Sequence, residues 1–228
     1  MSIPAGVPAV WLFDLDNTLH DAGARVFPEL KISMSLYVQQ QLQVDAAEAD
    51  RLRGVYLARY GATLLGLIRH HGVQPAHFLH ETHRLPGLES HVGGHRHDFA
   101  VLKRLRGRRF ILTNAPRAYA LRVLDALRIG HLFEGVLSME DMFCFGHCRP
   151  KPDARMLRMV AARLGVAPSR CVLVEDTLVH QKAARRVGMR TVWMQRYARR
   201  GAGAALRWSM RPAFVDRVVR GLRPLLRG

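Results

Sequence analysis

Residues 10–19, VWLFDLDNTL, constrain this chain more than any other stretch. Four apolar residues run directly into Asp14-Leu15-Asp16, followed by Asn17 and Thr18. Such a run reads as a buried strand that delivers two carboxylates at its C-terminal edge. Side chains alternate along a strand, so Asp14 and Asp16 point the same way wherever strand geometry continues. Two like charges at that separation repel unless a cation or a shared proton compensates.

The sequence beyond residue 96 supplies partners for that strand. A helix is expected over 96–106 and a strand over 109–113, then a helix over 117–127 and a short strand over 135–138. A helix over 153–164 leads to strand 171–175, and a helix over 179–187 leads to strand 190–194. Short connections between helices and apolar strands predict a Rossmann-like, doubly wound parallel sheet covered on both faces. Ligands of such sheets lie beyond the C-terminal strand ends, where Asp14, Thr113 and the Glu175-Asp176 pair all fall.

Residues 20–96 contain no convincing strand. Apolar residues at helical spacing mark segments near 29–43, 46–60, 62–71 and 75–81, with breaks at Gly61, Gly72-Val73 and Pro86-Gly87. The expected organisation is therefore an α/β core made of residues 1–19 and 97–228, with an α-helical cap, residues 20–96, inserted after the first strand. A cap of this kind is suited to close over a site at the sheet edge and exclude water.

Four pieces assemble along the core. Asp14 and Asp16 lie on the first strand, and Thr113-Asn114 end the second in FILTNAP. Lys151 sits in CRPKPD ahead of a helix, and Glu175-Asp176-Thr177 end a later strand in VLVEDT. In this order and spacing they resemble the haloacid dehalogenase-like (HAD) superfamily, whose first motif is DxDxT. The resemblance implies that Asp14 attacks phosphorus to form an aspartyl-phosphate and that Asp16 serves as general acid and base. It further implies Mg²⁺ held by the Asp14 carboxylate, the Asp16 backbone carbonyl, Asp176 and, through a water, Glu175. Thr113 and the Asn114 backbone amide would hold phosphoryl oxygens, and Lys151 would place a positive charge beside them. Asp16 favours phosphoryl transfer over dehalogenation, since dehalogenases of the superfamily generally lack a second catalytic aspartate.

Within the superfamily the chain is most similar to the pyrimidine 5′-nucleotidase group. The stretches that carry this likeness include WLFDLDNTLH, YGATLLGL (60–67), HRLPGL (83–88), residues 110–129 and CRPKPDA (148–154). The group usually has two aspartates and a serine where this chain has Glu175-Asp176-Thr177, and an aromatic where Gly87 stands. The expected substrate is a small anionic phosphomonoester, a pyrimidine nucleoside 5′-monophosphate in the first instance. Another metabolite phosphatase and a phosphomutase are the alternatives. Candidate substrate contacts are His20 at the site entrance and Tyr60, Thr63, His83 and Arg84 in the cap.

Composition bears on partners and location. The 228 residues carry 35 basic against 18 acidic side chains, a net charge of +17, which suits an anionic substrate or non-specific nucleic-acid binding. Only four of the basic residues are lysine, which suggests a general arginine bias. The extension 198–228 holds eight arginines and one acid, and residues 213–226 read as an amphipathic helix. It packs on the core or, in a second class of function, contacts nucleic acid. Residues 1–10 lack a basic segment ahead of an apolar core, and no apolar run is long enough to span a membrane, so a cytoplasmic protein is expected. Cys144, Cys148 and Cys171 are too few for a disulfide framework and read as structural thiols. His91, His95 and His97, with Asp98, could hold a second metal if helical, but Gly93-Gly94 argue for a loop.

Overall fold

The computed structural model describes residues 10–197 and 210–226. The chain divides into two compact units. One holds the residues up to Ala24 and from Val92 onward; the other is Arg25–His91.

The first unit is built on strand β1 (Val10–Phe13), buried along its whole length. The chain then leaves for the helical unit, α1 (Val26–Leu42), α2 (Ala46–Tyr60), α3 (Thr63–His71), α4 (Pro75–Thr82) and α5 (Leu88–His91). It returns through α6 (Arg96–Arg104) to β2 (Arg108–Leu112), α7 (Arg117–Ala126) and β3 (Gly135–Leu137). A small antiparallel hairpin, β4 (Phe143–Cys144) and β5 (His147–Cys148), precedes α8 (Ala154–Arg163). Then follow β6 (Cys171–Glu175), α9 (Leu178–Arg186), β7 (Arg190–Met194) and β8 (Arg217–Val219).

Six strands form one parallel sheet in the order β3-β2-β1-β6-β7-β8. The order runs outward from β1 in one direction and resumes on its other side with β6. Between β1 and β6 the connections therefore diverge, opening the crevice where parallel sheets bind ligands. Phe13 is level with Val174, and the Asp14 backbone N–H donates to the Val174 carbonyl at 2.9 Å. That register sets Asp14 beside Glu175 at the mouth of the crevice.

The helical unit follows from its own local signals. The Asp45 side chain accepts the Glu48 backbone N–H at the start of α2, and Gly61, at φ 81°, ends it. Gly66 lets α3 approach α2 closely: a Cβ there would lie 2.1 Å from the Tyr56 ring. The inserted span is narrower than residues 20–96 because both of its edges are tied to the sheet unit. His20 pairs through isolated bridges with Asp16 and Gly94, and the Asp21 N–H donates to the Gly93 carbonyl.

The end of the chain departs from the sequence reading. Residues 213–226 form no amphipathic helix; they contribute the sixth strand and a 3₁₀ turn, Arg223–Leu226. The edge of β7 leaves backbone groups that need partners, and the β-branched pair Val218-Val219 suits a strand. Asp216 fixes the entry by accepting the Thr191 N–H at 2.9 Å, and Gly221 and Pro224 oppose helix. Val215, Val219, Leu222 and Leu225 are buried, so this stretch completes the core. Of the eight tail arginines, Arg199, Arg200, Arg207 and Arg227 lie outside the described residues. No described helix is long and apolar enough to cross a membrane.

Candidate active site

β1 ends at Phe13, and the chain turns over residues 17–19. Thr18 and Leu19 both donate backbone N–H groups to the Leu15 carbonyl, and Asn17 adopts a left-handed conformation, φ 57°. Asp14 and Asp16 consequently take different partners. Asp14 is buried and enters an acidic cluster with Glu175 and Asp176, whose ligand oxygens lie within 4.8 Å of one another. The Asp16 carboxylate lies outside that cluster. Its Oδ1 accepts the Tyr119 hydroxyl at 2.6 Å and sits 2.7 Å from His20 Nε2.

Lys151 holds the cluster together. Its ammonium, 2% exposed, donates to Asp14 Oδ1 at 2.6 Å and to Glu175 Oε2 at 2.7 Å. Thr18 Oγ1 donates to Asp14 Oδ2 at 3.0 Å, so both oxygens of Asp14 are oriented. The loop bearing Lys151 is fastened to the end of β2 by the Asn114 side chain. Its Nδ2 donates to the Lys151 carbonyl at 3.0 Å, and its Oδ1 accepts the Lys151 N–H at 2.9 Å. Asp153 then caps α8 by accepting the Arg155 and Met156 N–H groups. Thr113 is buried, with Oγ1 accepting the Ala115 N–H at 3.1 Å.

Two of the three carboxylates share the Lys151 ammonium and the third has none, and the protonation tendencies reflect that deficit. Burial, followed by the charge of Glu175, pushes Asp14 up despite Lys151. Burial, then Glu175 and Asp14, pushes Asp176 up further. Burial would also raise Glu175, but Lys151 and then His180 outweigh it and hold that carboxyl well below its usual range. Burial would lower Lys151, yet Asp14 and Glu175 raise it and keep it charged. A hard cation relieves the remaining repulsion, and an all-carboxylate oxygen set fits Mg²⁺.

The other sequence candidates disperse. His20 is fully buried and lies against Asp16, so it does not line an entrance. Thr63 is also buried, its hydroxyl donating to the Arg53 carbonyl at 3.4 Å. In the helical unit the Tyr60 hydroxyl lies 2.6 Å from His70 Nε2, and His83 Nδ1 lies 2.9 Å from Thr82 Oγ1. Arg84 is exposed, 4.0 Å from Glu81. The histidine group divides between the units: His91 pairs with Glu29 at 2.8 Å, whereas His95 and His97 belong with the sheet. Asp98 is taken by the Leu222 N–H and by Arg196, each at 2.8 Å. Among the described residues, Asp14, Glu175 and Asp176 form the sole metal-capable group of three. The three cysteines are free.

Tyr119 and the side-chain roles of Asn114 and Thr18 escaped the sequence reading. Thr18 stood in plain view within DxDxT. Tyr119, in the first turn of α7, has no mark in the sequence to separate it from a core aromatic. Burial, followed by the Asp16 charge, raises its hydroxyl far above the ordinary phenol range and keeps it a donor.

Comparison with known proteins gives the family. The model of the haloacid dehalogenase-like hydrolase family matches residues 9–188. The chain belongs to this family. Over 196 residues, 79% of this chain, it is 24% identical to Phosphate metabolism protein 8 of Saccharomyces cerevisiae. Over 94 residues, 40% of this chain, it is 35% identical to Fructose-1-phosphate phosphatase YqaB of Escherichia coli. The chain spans 59% and 47% of the lengths of these two relatives. Among solved structures, CbbY from Rhodobacter sphaeroides, in complex with phosphate, superposes with a TM-score of 0.62 at 19% identity, covering 96% of each chain. That likeness speaks for the shared HAD-like fold.

Proposed function

We propose that this HAD-like hydrolase is a Mg²⁺-dependent phosphomonoesterase working through Asp14. The observation that carries the reading is the buried Lys151 bridge between Asp14 and Glu175 at the sheet's switch point. In the first half-reaction an Asp14 oxygen bonds to phosphorus. The ester P–O bond breaks, and its electron pair stays with the leaving oxygen, which takes a proton from Asp16. In the second, water oxygen bonds to phosphorus while the Asp14–phosphorus bond breaks, and Asp16 recovers a proton from that water. The sum is ester plus water giving alcohol plus phosphate. Thr113, the Asn114 amide and Lys151 serve as phosphoryl-oxygen contacts. Asp14, Asp176, Glu175 and the Asp16 backbone carbonyl are the residues for Mg²⁺, which when bound neutralises charge on the phosphoryl group.

For the substrate, the likeness of residues 60–67, 83–88 and 110–129 to the pyrimidine nucleotidases supports a nucleoside 5′-monophosphate. Tyr60, His83 and Arg84 are then the helical unit's candidate contacts. A sugar phosphate is the second reading, favoured by the 35% identity to a relative named a fructose-1-phosphate phosphatase. A nucleic-acid role for the basic tail 198–228 stands apart from both and predicts salt-sensitive binding that weakens when Arg199, Arg200 and Arg207 are replaced by glutamine. The test is phosphate release from CMP, UMP, AMP, GMP, fructose 1-phosphate and phosphoglycolate, with Mg²⁺ or EDTA, beside Asp14→Asn. Metal-dependent release from CMP or UMP supports the nucleotidase reading. Preference for fructose 1-phosphate keeps the mechanism and replaces the substrate, and no release from any ester removes the phosphatase reading.

A further inference from the structure

The turn after β1 brings a histidine and a tyrosine, both buried, onto the same carboxylate oxygen. Tyr119 donates its hydroxyl to Asp16 Oδ1 at 2.6 Å from the first turn of α7. His20 Nε2 lies 2.7 Å from that oxygen, and its side chain is wholly excluded from solvent. His20 Nδ1 has no hydrogen-bond partner among the described residues. A neutral imidazole that leaves Nδ1 as the acceptor carries its proton on Nε2, and so donates to Asp16. Backbone bridges to Asp16 and to Gly94 fix the main chain of His20. A Cβ on Gly94 would meet the Leu19 carbonyl at 3.0 Å and the Phe99 ring at 2.3 Å, which shows how closely the chain closes there.

Two donors from separate elements, the β1 turn and α7, fix the carboxylate in direction as well as in place. A carboxylate on a turn beyond its strand otherwise rotates about two side-chain torsions. Neither donor belongs to the cluster of Asp14, Glu175 and Asp176.

We propose that Tyr119 and His20 are positioning residues that hold Asp16 for proton transfer to the leaving oxygen and from the attacking water. This rests on the phosphomonoesterase reading above, and leaving-group dependence tests it. An alkyl phosphate needs its departing oxygen protonated; p-nitrophenyl phosphate leaves as a stable anion and needs little help. Tyr119→Phe is expected to lower kcat/KM, which reports the first half-reaction alone, by about 10- to 100-fold on the preferred alkyl phosphate. On p-nitrophenyl phosphate the same change is expected to cost less than about 3-fold. His20→Leu should behave alike, and His20→Gln, whose amide presents a donor near Nε2, should restore most of the rate. Equal losses on both esters, or none on either, would overturn the proposal.

A second measurement stands apart from activity. In a double-mutant cycle of Tyr119→Phe with Asp16→Ala, the effects on the unfolding equilibrium constant should be non-additive by on the order of tenfold. Additive effects would show that the contact does not orient Asp16. If the wild-type protein hydrolyses no phosphate ester, the phosphatase reading fails, while the cycle still decides whether Tyr119 constrains Asp16.

Discussion

The sheet unit and the helical unit bury different kinds of polarity. In the sheet unit Asp14, His20, Asp98, Lys151 and Glu175 are all withdrawn from solvent, each facing a named partner. In the helical unit the buried polar residues among those described are Thr63 and Thr82, whose hydroxyls return to helix carbonyls. Its histidines His70, His71, His77 and His80 are exposed. A parallel sheet with strands locked in register can hold like charges together, because backbone hydrogen bonds on both sides of β1 resist their separation. A bundle of short helices makes no comparable frame. Reactive groups accordingly gather in the first unit.

The largest test of this contrast is Asp14→Asn. Catalysis should fall on the order of 10⁴-fold or more while the unfolding midpoint stays near wild type, since the change removes a buried charge from a crowded cluster. Steady-state kinetics beside denaturant unfolding would check it; retained activity would sink the nucleophile assignment. Lys151→Met should abolish activity and also cost about 3–5 kcal/mol of stability, because Asp14 and Glu175 would remain buried without their cation. Urea unfolding reads that loss, and Mg²⁺ should recover part of it by binding the folded state.

A change in the helical unit should behave in the opposite manner. Gly66→Ala forces a methyl group against the Tyr56 ring and should destabilise by about 1–3 kcal/mol. Turnover by the folded fraction on p-nitrophenyl phosphate should stay near wild type; a large loss there would blur the division between the units. The smallest effect concerns acid. Burial would raise Asp141, but the Ser138 backbone N–H, Arg117 and Arg163 outweigh it and depress its pKa. A depressed carboxyl lends stability above its unfolded pKa, near 4, and loses it as pH falls through the folded value. Asp141→Asn should therefore lower stability at neutral pH and flatten its decline below about pH 4, read as a shallower acid limb in thermal melts.

Helix positions in both units were legible because capping residues and breaks are local. Asp45, Gly61 and Gly72 mark their own ends, and α2 spans the residues that its periodicity predicts. The sixth strand was not legible. RVV at 217–219 lies in an arginine-rich segment with apolar residues at near-helical spacing, and only the vacant edge of β7 selects a strand there. His20 was misplaced for a similar reason. A histidine after a motif has the same local pattern whether it faces solvent or folds back against Asp16.

By itself the sequence determined the α/β core, the helical insertion and the order of Asp14, Thr113, Lys151 and Asp176. These depend on periodicity and on residue types that only a narrow chemistry needs. Tertiary structure alone decided that the Asn114 side chain clamps the lysine loop and that Tyr119 meets His20 on one oxygen of Asp16. Those contacts join residues 4 to 103 positions apart. Their geometry is set by strand register and by the turn after β1, and neither leaves a periodic trace in the chain.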